Sequence, residues 1–432
     1  MSAARTIAEF AAAPQRLSDS VRADALRLLA DTLCVGSAGA ASAEARRIGP
    51  SVEQPDPGRN ARRFDGRFAS ASDAAFFNGF AVHCLEWDAV HEGAVVHALS
   101  VVTAALLAKS DERGGSDAED FLTALAIGVD IASGLGIAAT GAMRFFRPAT
   151  AGVIGAALAC ARLSNLPREK YADVMGLAYS FAGGTMQAHV EASVALPLQI
   201  GHAARSAVCA VNLVEAGMDA PHDVLEGPFG YDRLIEPLDL DRYLRDLGRK
   251  WRISEVATKP YPCGRASHGA LGELEALHGE GLQTADVERI DLFAPPLIVR
   301  LIGRPAKPEM SPAYARLCLP ILAPMMLRDG VIDPSLFTPR GLADEELRAL
   351  SGAVHVHQDG SGDENAMTPQ RLVVTCRDER TIERDIAASL GSIDHPMSAA
   401  QRRRKYDLCR RLAPASQSRI FDNPLSYAVE PK

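Results

Sequence analysis

A chain of 432 residues exceeds one ordinary hydrophobic core, so two domains are the prior expectation, and a formal charge of −8 spread along it argues against a nucleic-acid surface. Its hydrophobic content of 47% and charged content of 23% are those of a globular protein, and few aromatics beside abundant Ala and Leu favour helix. Eight cysteines scattered singly, with no CxxC pair, exclude a secreted disulfide scaffold and a thiolate metal site, and suit a reducing cytoplasm.

The first residues, MSAARTIAEFAAAPQR, carry Glu9 within their apolar part and predict a short amphipathic helix ended by Pro14, not a signal peptide. No uncharged apolar run looks clean enough to span a bilayer, so no membrane partner is expected. Ser18 caps a helix through VRADALRLLADTLCV, with Val21, Ala25, Leu28, Leu29 and Thr32 on one face, ending near Gly36. Residues 50–70, rich in Pro, Gly and Arg, predict loop, and a helix near Ser72–Phe80 follows.

The run from Asn78 to Ser100, NGFAVHCLEWDAVHEGAVVHALS, is the chemically densest part of the chain. Its first half has helical spacing, with Phe80, Cys84, Leu85 and Trp87 as an apolar stripe. Set into that stripe are His83, Glu86, Asp88 and His91. Glu92-Gly93 then breaks the helix, and His97 opens another over about Ala98–Ala108. Carboxylates and imidazoles held together at partial burial are what proton transfer needs, because burial and neighbouring charge move their pKa values towards the working pH.

Ser116-Asp117-Ala118-Glu119 reads as a capping box that starts the helix FLTALAIGVDIASGLGIAA. Arg147-Pro148 stands just before a Gly/Ala-rich buried helix, whose positive N-terminus can hold an anion together with Arg147. Helices at about 168–183 and 197–217 flank the irregular stretch MQAHVEASVALPLQIGH, which carries Gln187, His189, Glu191, Gln199 and His202.

After Trp251 the texture changes. ISEVATKPYPCGRASH is extended, and a helix runs from His268 to Leu277. Strand alternation marks VERIDLFAP, AVHVHQ and QRLVVTCRD, with the helix YARLCLPILAPMMLRDG among them. His355 and His357 share a strand face, read as a partly solvated edge over a metal pair. The acidic DGSGDEN loop lacks the spacing of a calcium loop. From about 396 the chain returns to helix, where Arg402-Arg403-Arg404-Lys405 reads as a solvated helix face. The expected fold is mainly α: a helical domain over 1–252, a smaller inserted α+β domain over 253–392, and helices at 393–432 returning to the first.

Five segments in this order, NGFAVHCLEWDAVHEGAVVH, RPATAGVIGAALACA, GHAARSAVCAVNLVEAGMDAPHDVLEGPFGY, KPYPCGRASH and PMSAAQRRRKY, resemble the MmgE/PrpD family. That family includes 2-methylcitrate dehydratase, cis-aconitate decarboxylase and iminodisuccinate epimerase. The resemblance implies a helical large domain, a smaller α+β domain, a cleft site between them, a homodimer, no metal, no organic cofactor and small polycarboxylate substrates. It sets Asp88 and His97 where the family keeps an acid and a histidine, Lys259 at the lysine of K-P-Y-P, and His268 at the histidine a little further on.

The sequence also departs from the family pattern. The histidine before the proline of H-P-T-A is Arg147 here, the K-R-L-H-P-G-like segment reads Leu196-Pro197-Leu198-Gln199-Ile200-Gly201, and the S-L-P-Y-like segment ends in Ile321. The expected chemistry is a cofactor-independent, dehydratase-type lyase acting on a small di- or tricarboxylate. Asp88 or His97 is the candidate base, and His202 or His268 the acid. Lys259, Arg147 and Arg265 form a carboxylate clamp, with His91 and Gln199 as further contacts. Epimerisation by the same proton abstraction is the alternative, since it tolerates the missing groups better. A non-catalytic relative that binds such acids is the contrasting reading.

Overall fold

The computed structural model describes residues 2–52, 60–360, 363 and 366–430. Eleven described helices have ten or more residues: α1 (Ala3–Ala12), α2 (Asp19–Ala40), α3 (Ala71–His83), α4 (Ala98–Glu112), α5 (Ala118–Ala138), α6 (Arg147–Leu163), α7 (Tyr171–Ser180), α8 (Ala195–Glu215), α9 (His268–Gly279), α10 (Leu319–Asp329) and α11 (Ala399–Leu412). The fold is mainly α, with a smaller α+β region towards the C-terminus.

Ser18 starts α2 as expected, its hydroxyl accepting from the Val21 N–H. Helices α3 to α6 and α8 pack on one another as the centre of the larger apolar core. The contact of α3 with α8 is close because two glycines meet there: a Cβ on Gly201 would lie 2.4 Å from the Phe76 carbonyl oxygen. That approach fixes the end of α3, where the chemically dense stretch begins.

α5 corrects two sequence expectations. Its N-cap is Asp117, whose side chain accepts from the Glu119 and Asp120 N–H groups, while Ser116 turns to the Val429 carbonyl and the Ser110 hydroxyl. It is also long and apolar enough to cross a membrane by length and composition, and 94% of that window is buried inside the protein. Asp130, half-way along it, is paired with Arg252 and Tyr243, as a buried carboxylate must be.

A separate apolar core holds α9, α10 and a four-stranded sheet. Numbered after the short hairpin β1 (Asn60–Arg62) and β2 (Phe68–Ser70), its strands are β3 (Val287–Ala294), β4 (Val354–Gln358), β5 (Gln370–Cys376) and β6 (Thr381–Ile386). Their order is β4-β3-β5-β6, with β3 parallel to β4 and the other pairs antiparallel. His357 is taken by Asp291 on β3 at 2.7 Å, in keeping with a strand edge. The acidic loop between β4 and β5 falls largely outside the described residues, as does part of the loop over 50–70.

α11 packs against α2. Arg402, Arg403 and Arg404 are exposed, but Lys405 is not solvated: it is buried, 2.6 Å from Asp31, and donates to the Trp87 carbonyl at 3.2 Å. The C-terminal return thus reaches the backbone beside Asp88.

Candidate active site

α3 stops at His83, one turn before the apolar stripe suggested, because the chain reverses there. Glu86 takes a left-handed conformation (φ 54°), with its N–H donating to the His83 carbonyl. Its own carbonyl thereby turns to Lys259, which donates to it at 2.9 Å. A second non-glycine residue, Val95 (φ 53°), closes the turn, and His91 and Val96 pair across it. Left-handed backbone at a buried glutamate and at a β-branched valine is strained, and such strain persists where surrounding contacts over-determine it. Here they do: Val90 pairs with Ala257, and the Trp87 indole donates to the Pro260 carbonyl at 3.2 Å.

The turn brings two imidazoles to one carboxylate. His83 Nδ1 lies 2.9 Å from Asp88 Oδ2, and His97 Nδ1 lies 3.0 Å from the same oxygen. Ser100 donates to that oxygen as well, and Lys259 Nζ is 3.7 Å from Oδ1. Glu86 completes the group, its carboxylate 3.5 Å from His83 Nε2 and 3.4 Å from Lys259. Two histidines and a carboxylate would suit a divalent ion as donors, but Lys259 already supplies a positive charge to Asp88.

Burial and charge separate the two imidazoles. Burial alone would lower His83, but Asp88 and Glu86 beside it carry its pKa above the ordinary histidine value. His97 goes the other way: burial, with Lys259 and His83 nearby, lowers it despite Asp88. Burial would raise the Asp88 carboxyl, yet His83, His97 and Lys259 hold it well below the usual carboxylate range. The surroundings therefore bias His83 towards the imidazolium, Asp88 towards the carboxylate and His97 towards the neutral imidazole.

Of the residues expected from the sequence, Asp88, His97 and Lys259 come together. Asp88, 0% exposed, sits behind the two imidazoles and does not line the cavity. Arg265 lines the cavity and is held by Glu92 at 2.8 Å and by the Leu390 and Ser389 carbonyls.

The other expected residues stand elsewhere. His202 is exposed on α8, because the buried face there is Ile200, Ala203, Ala204 and Ala207, and it lines no part of this cavity. His268 is buried in the second core, its Nε2 3.2 Å from the Cys263 carbonyl oxygen, and burial with Arg265 and Lys259 nearby pushes its pKa well down. His91 is fully engaged, its Nδ1 accepting from the Ala94 N–H and its Nε2 facing Glu255 at 3.1 Å. Gln199 donates to the Thr185 carbonyl at 3.2 Å, away from the cavity. Cys263 is buried, which pushes its thiol up and keeps it from being a nucleophile.

Arg147 is no clamp either. The anion it holds is the chain's own Glu236, by a two-pronged contact at 2.5–3.0 Å, while its other N–H groups donate to the Ala94 and Gly141 carbonyls. Arg147→Ala strands Glu236 in the interior and is expected to destabilise the protein by about 3–5 kcal/mol, read as a fall in the thermal midpoint. A loss confined to substrate affinity, with the midpoint unchanged, would return Arg147 to the substrate.

Sequence reasoning passed over His189 and the part played by His83 and Glu86. His189 follows α7 in a short helical turn and lines the cavity; burial, with Arg304 near it, lowers its pKa to about 4. Arg304 donates to the His189 carbonyl at 3.2 Å. The cavity also takes Phe146, Met186 and Leu196 from the helical part and Leu301, Ile302 and Leu317 from the α+β part.

A buried imidazole–carboxylate cluster at a cleft where a helical bundle meets a small α+β unit defines the class of the protein. The model of the MmgE/PrpD N-terminal domain matches residues 5–239, and that of the MmgE/PrpD C-terminal domain matches 261–423. The chain belongs to the MmgE/PrpD family. The cis-aconitate decarboxylase-like protein oryM of Aspergillus oryzae is 23% identical over 383 residues, or 83% of this chain and 78% of that protein. The cis-aconitate decarboxylase of Homo sapiens is 27% identical over 300 residues, covering 66% of this chain and 60% of the human protein. That of Mus musculus is 26% identical over 356 residues, covering 77% and 70%.

Proposed function

We propose that the protein is a cofactor-independent lyase of dehydratase type that removes a proton next to a carboxylate on a small acid. The observation that carries the reading is the pair of imidazoles that share Asp88 while their pKa values are moved in opposite directions. His97, neutral and on the cavity wall, accepts the proton from carbon. The C–H electrons form the new double bond as the neighbouring C–O bond breaks. His83, protonated and on the same wall, gives its proton to the departing hydroxyl, which leaves as water. Asp88 orients both rings and stabilises the imidazolium that His97 becomes. Arg265 anchors the carboxylate, using N–H groups that Glu92 and the two carbonyls leave free.

Relatives described as cis-aconitate decarboxylases support a lyase acting on a carboxylic acid. The reading keeps the cytoplasmic homodimer expected from the sequence. A second reading, epimerisation, is favoured by His189, a second lowered-pKa imidazole on the same cavity contributed by a different element. Proton NMR in D₂O separates the two. A lyase produces or consumes a vinyl signal, whereas an epimerase incorporates deuterium at the carbon with no double bond. Deuterium alone would remove the lyase reading.

A further inference from the structure

The cavity beside His97 has an unusual lining for a site that handles polycarboxylates. Most of its wall is apolar, with Phe146, Met186, Leu196, Leu301, Leu317 and Met367 among the residues that form it. Two acidic side chains, Glu86 and Glu92, share the wall with one guanidinium, Arg265. Glu92 already takes the Nε–H of that guanidinium at 2.8 Å, and backbone carbonyls take one N–H on each Nη at 2.6 and 3.2 Å. A guanidinium has five N–H donors, so two remain, enough for one carboxylate. Lys259 is 0% exposed and held by Glu86 and Asp88 behind the wall.

A compact tricarboxylate would bring three negative charges against two carboxylates and a greasy surface. Arg265 and the His83 imidazolium are the cations on this wall and each already faces a carboxylate, so at least one of the three would be desolvated without a partner, which is strongly unfavourable. Leu196 accentuates this, since it stands in the segment where the family resemblance implies a lysine. A wider cleft that shares His83, Glu86, Leu196 and Leu317 with this wall does carry Arg46, Arg47 and Arg316, but His97 does not line it.

Resting on the proton-transfer reading above, we infer that this site takes an acid with one carboxylate and an apolar alkyl body, and disfavours compact tricarboxylates. The carboxylate lies on Arg265, the carbon next to it faces His97, and the body fills the space between Leu196, Met186 and Leu317. For a dehydration the substrate is a 3-hydroxy acid, and the products are the 2-enoic acid and water.

The test is a two-set panel with the full chain in D₂O: 3-hydroxyhexanoate and 2-hexenoate against citrate and cis-aconitate. Binding is followed by saturation-transfer NMR, and turnover by deuterium incorporation and vinyl signals. The expected result is a kcat/KM at least tenfold higher for the alkyl acids. Leu196→Lys should move that ratio at least tenfold towards the tricarboxylates. A lysine at this buried position can unfold the chain, so Met186→Arg, at a half-buried position on the same wall, is the second variant, and the wild-type ranking decides alone if neither folds.

Tricarboxylates turned over at least as well as alkyl acids would overturn the substrate class while leaving proton transfer intact. Alkyl acids that bind preferentially without exchange or conversion would do the reverse. Neither binding nor turnover in either set would remove both.

Discussion

His97→Gln lowers the rate of solvent deuterium exchange at the substrate carbon by about 10²–10⁴-fold while the protein stays folded, the range for loss of one positioned proton-transfer group. His97 reaches the cavity, is held below its ordinary pKa and, unlike His189, stands against Asp88, which stabilises the imidazolium it becomes on accepting a proton. The amide of Gln fills much the same space at the head of α4 but cannot take the proton. Wild-type activity should be bell-shaped in pH. Its acid limb belongs to His97 and falls below the ordinary histidine range, because protonation there removes the base. Its basic limb belongs to His83 and lies above that range, because deprotonation there removes the acid. The two limbs describe a coupled pair in which His97 is already uncharged where His83 titrates, so His97→Gln should lose the acid limb and leave the basic limb in place. Exchange that persists at the wild-type rate in the variant would pass the base to His189.

The dense stretch at Asn78–Ser100 was legible in the sequence because histidines and carboxylates are rare inside an apolar stripe. Their roles were not legible, because roles follow from depth. Asp88 and His97 look alike as candidates on the page, yet one is sealed behind the rings and the other stands on the cavity wall. The apolar pattern overruns the helix because Leu85 and Trp87 continue it past His83. They are apolar for another reason, which is that the turn itself is buried, with Trp87 pinned to Pro260.

Arg147 at a helix start points to an anion, and it does hold one, but Glu236 is 89 residues away and no local pattern pairs them. His189 gives no local signal either, since it lies in a helical turn of four residues, too short to show a period. His202 is different. The period of small apolar residues through Ile200, Ala203, Ala204 and Ala207 puts it on the opposite face of α8, so its exposure was readable beforehand.

Asp88→Ala should cost about 3–5 kcal/mol of stability, the usual consequence of removing one member of a buried charge group. The variant leaves Lys259 without one of its two carboxylates, takes the acceptor from Ser100 and leaves His83 Nδ1 with nothing to donate to. The size of the loss should depend on pH in a way that identifies the pair. The folded pKa of Asp88 lies below the unfolded value of about 3.9, so its contribution is fully present above that value and is lost as pH falls through the folded pKa. The folded pKa of His83 lies above the unfolded value of about 6.5, so its contribution is fully present below that value and is lost as pH rises through the folded pKa. The gap between wild type and variant is therefore widest between about pH 4 and 6.5 and narrows on both sides. Thermal unfolding of the two proteins across pH measures that gap. A gap that stays constant through the neutral and basic range would mean that the cluster is held by the packing of Trp87 and α11 and not by charge. In that case His83 would have no elevated pKa, and the protein would lack the acid that elimination requires.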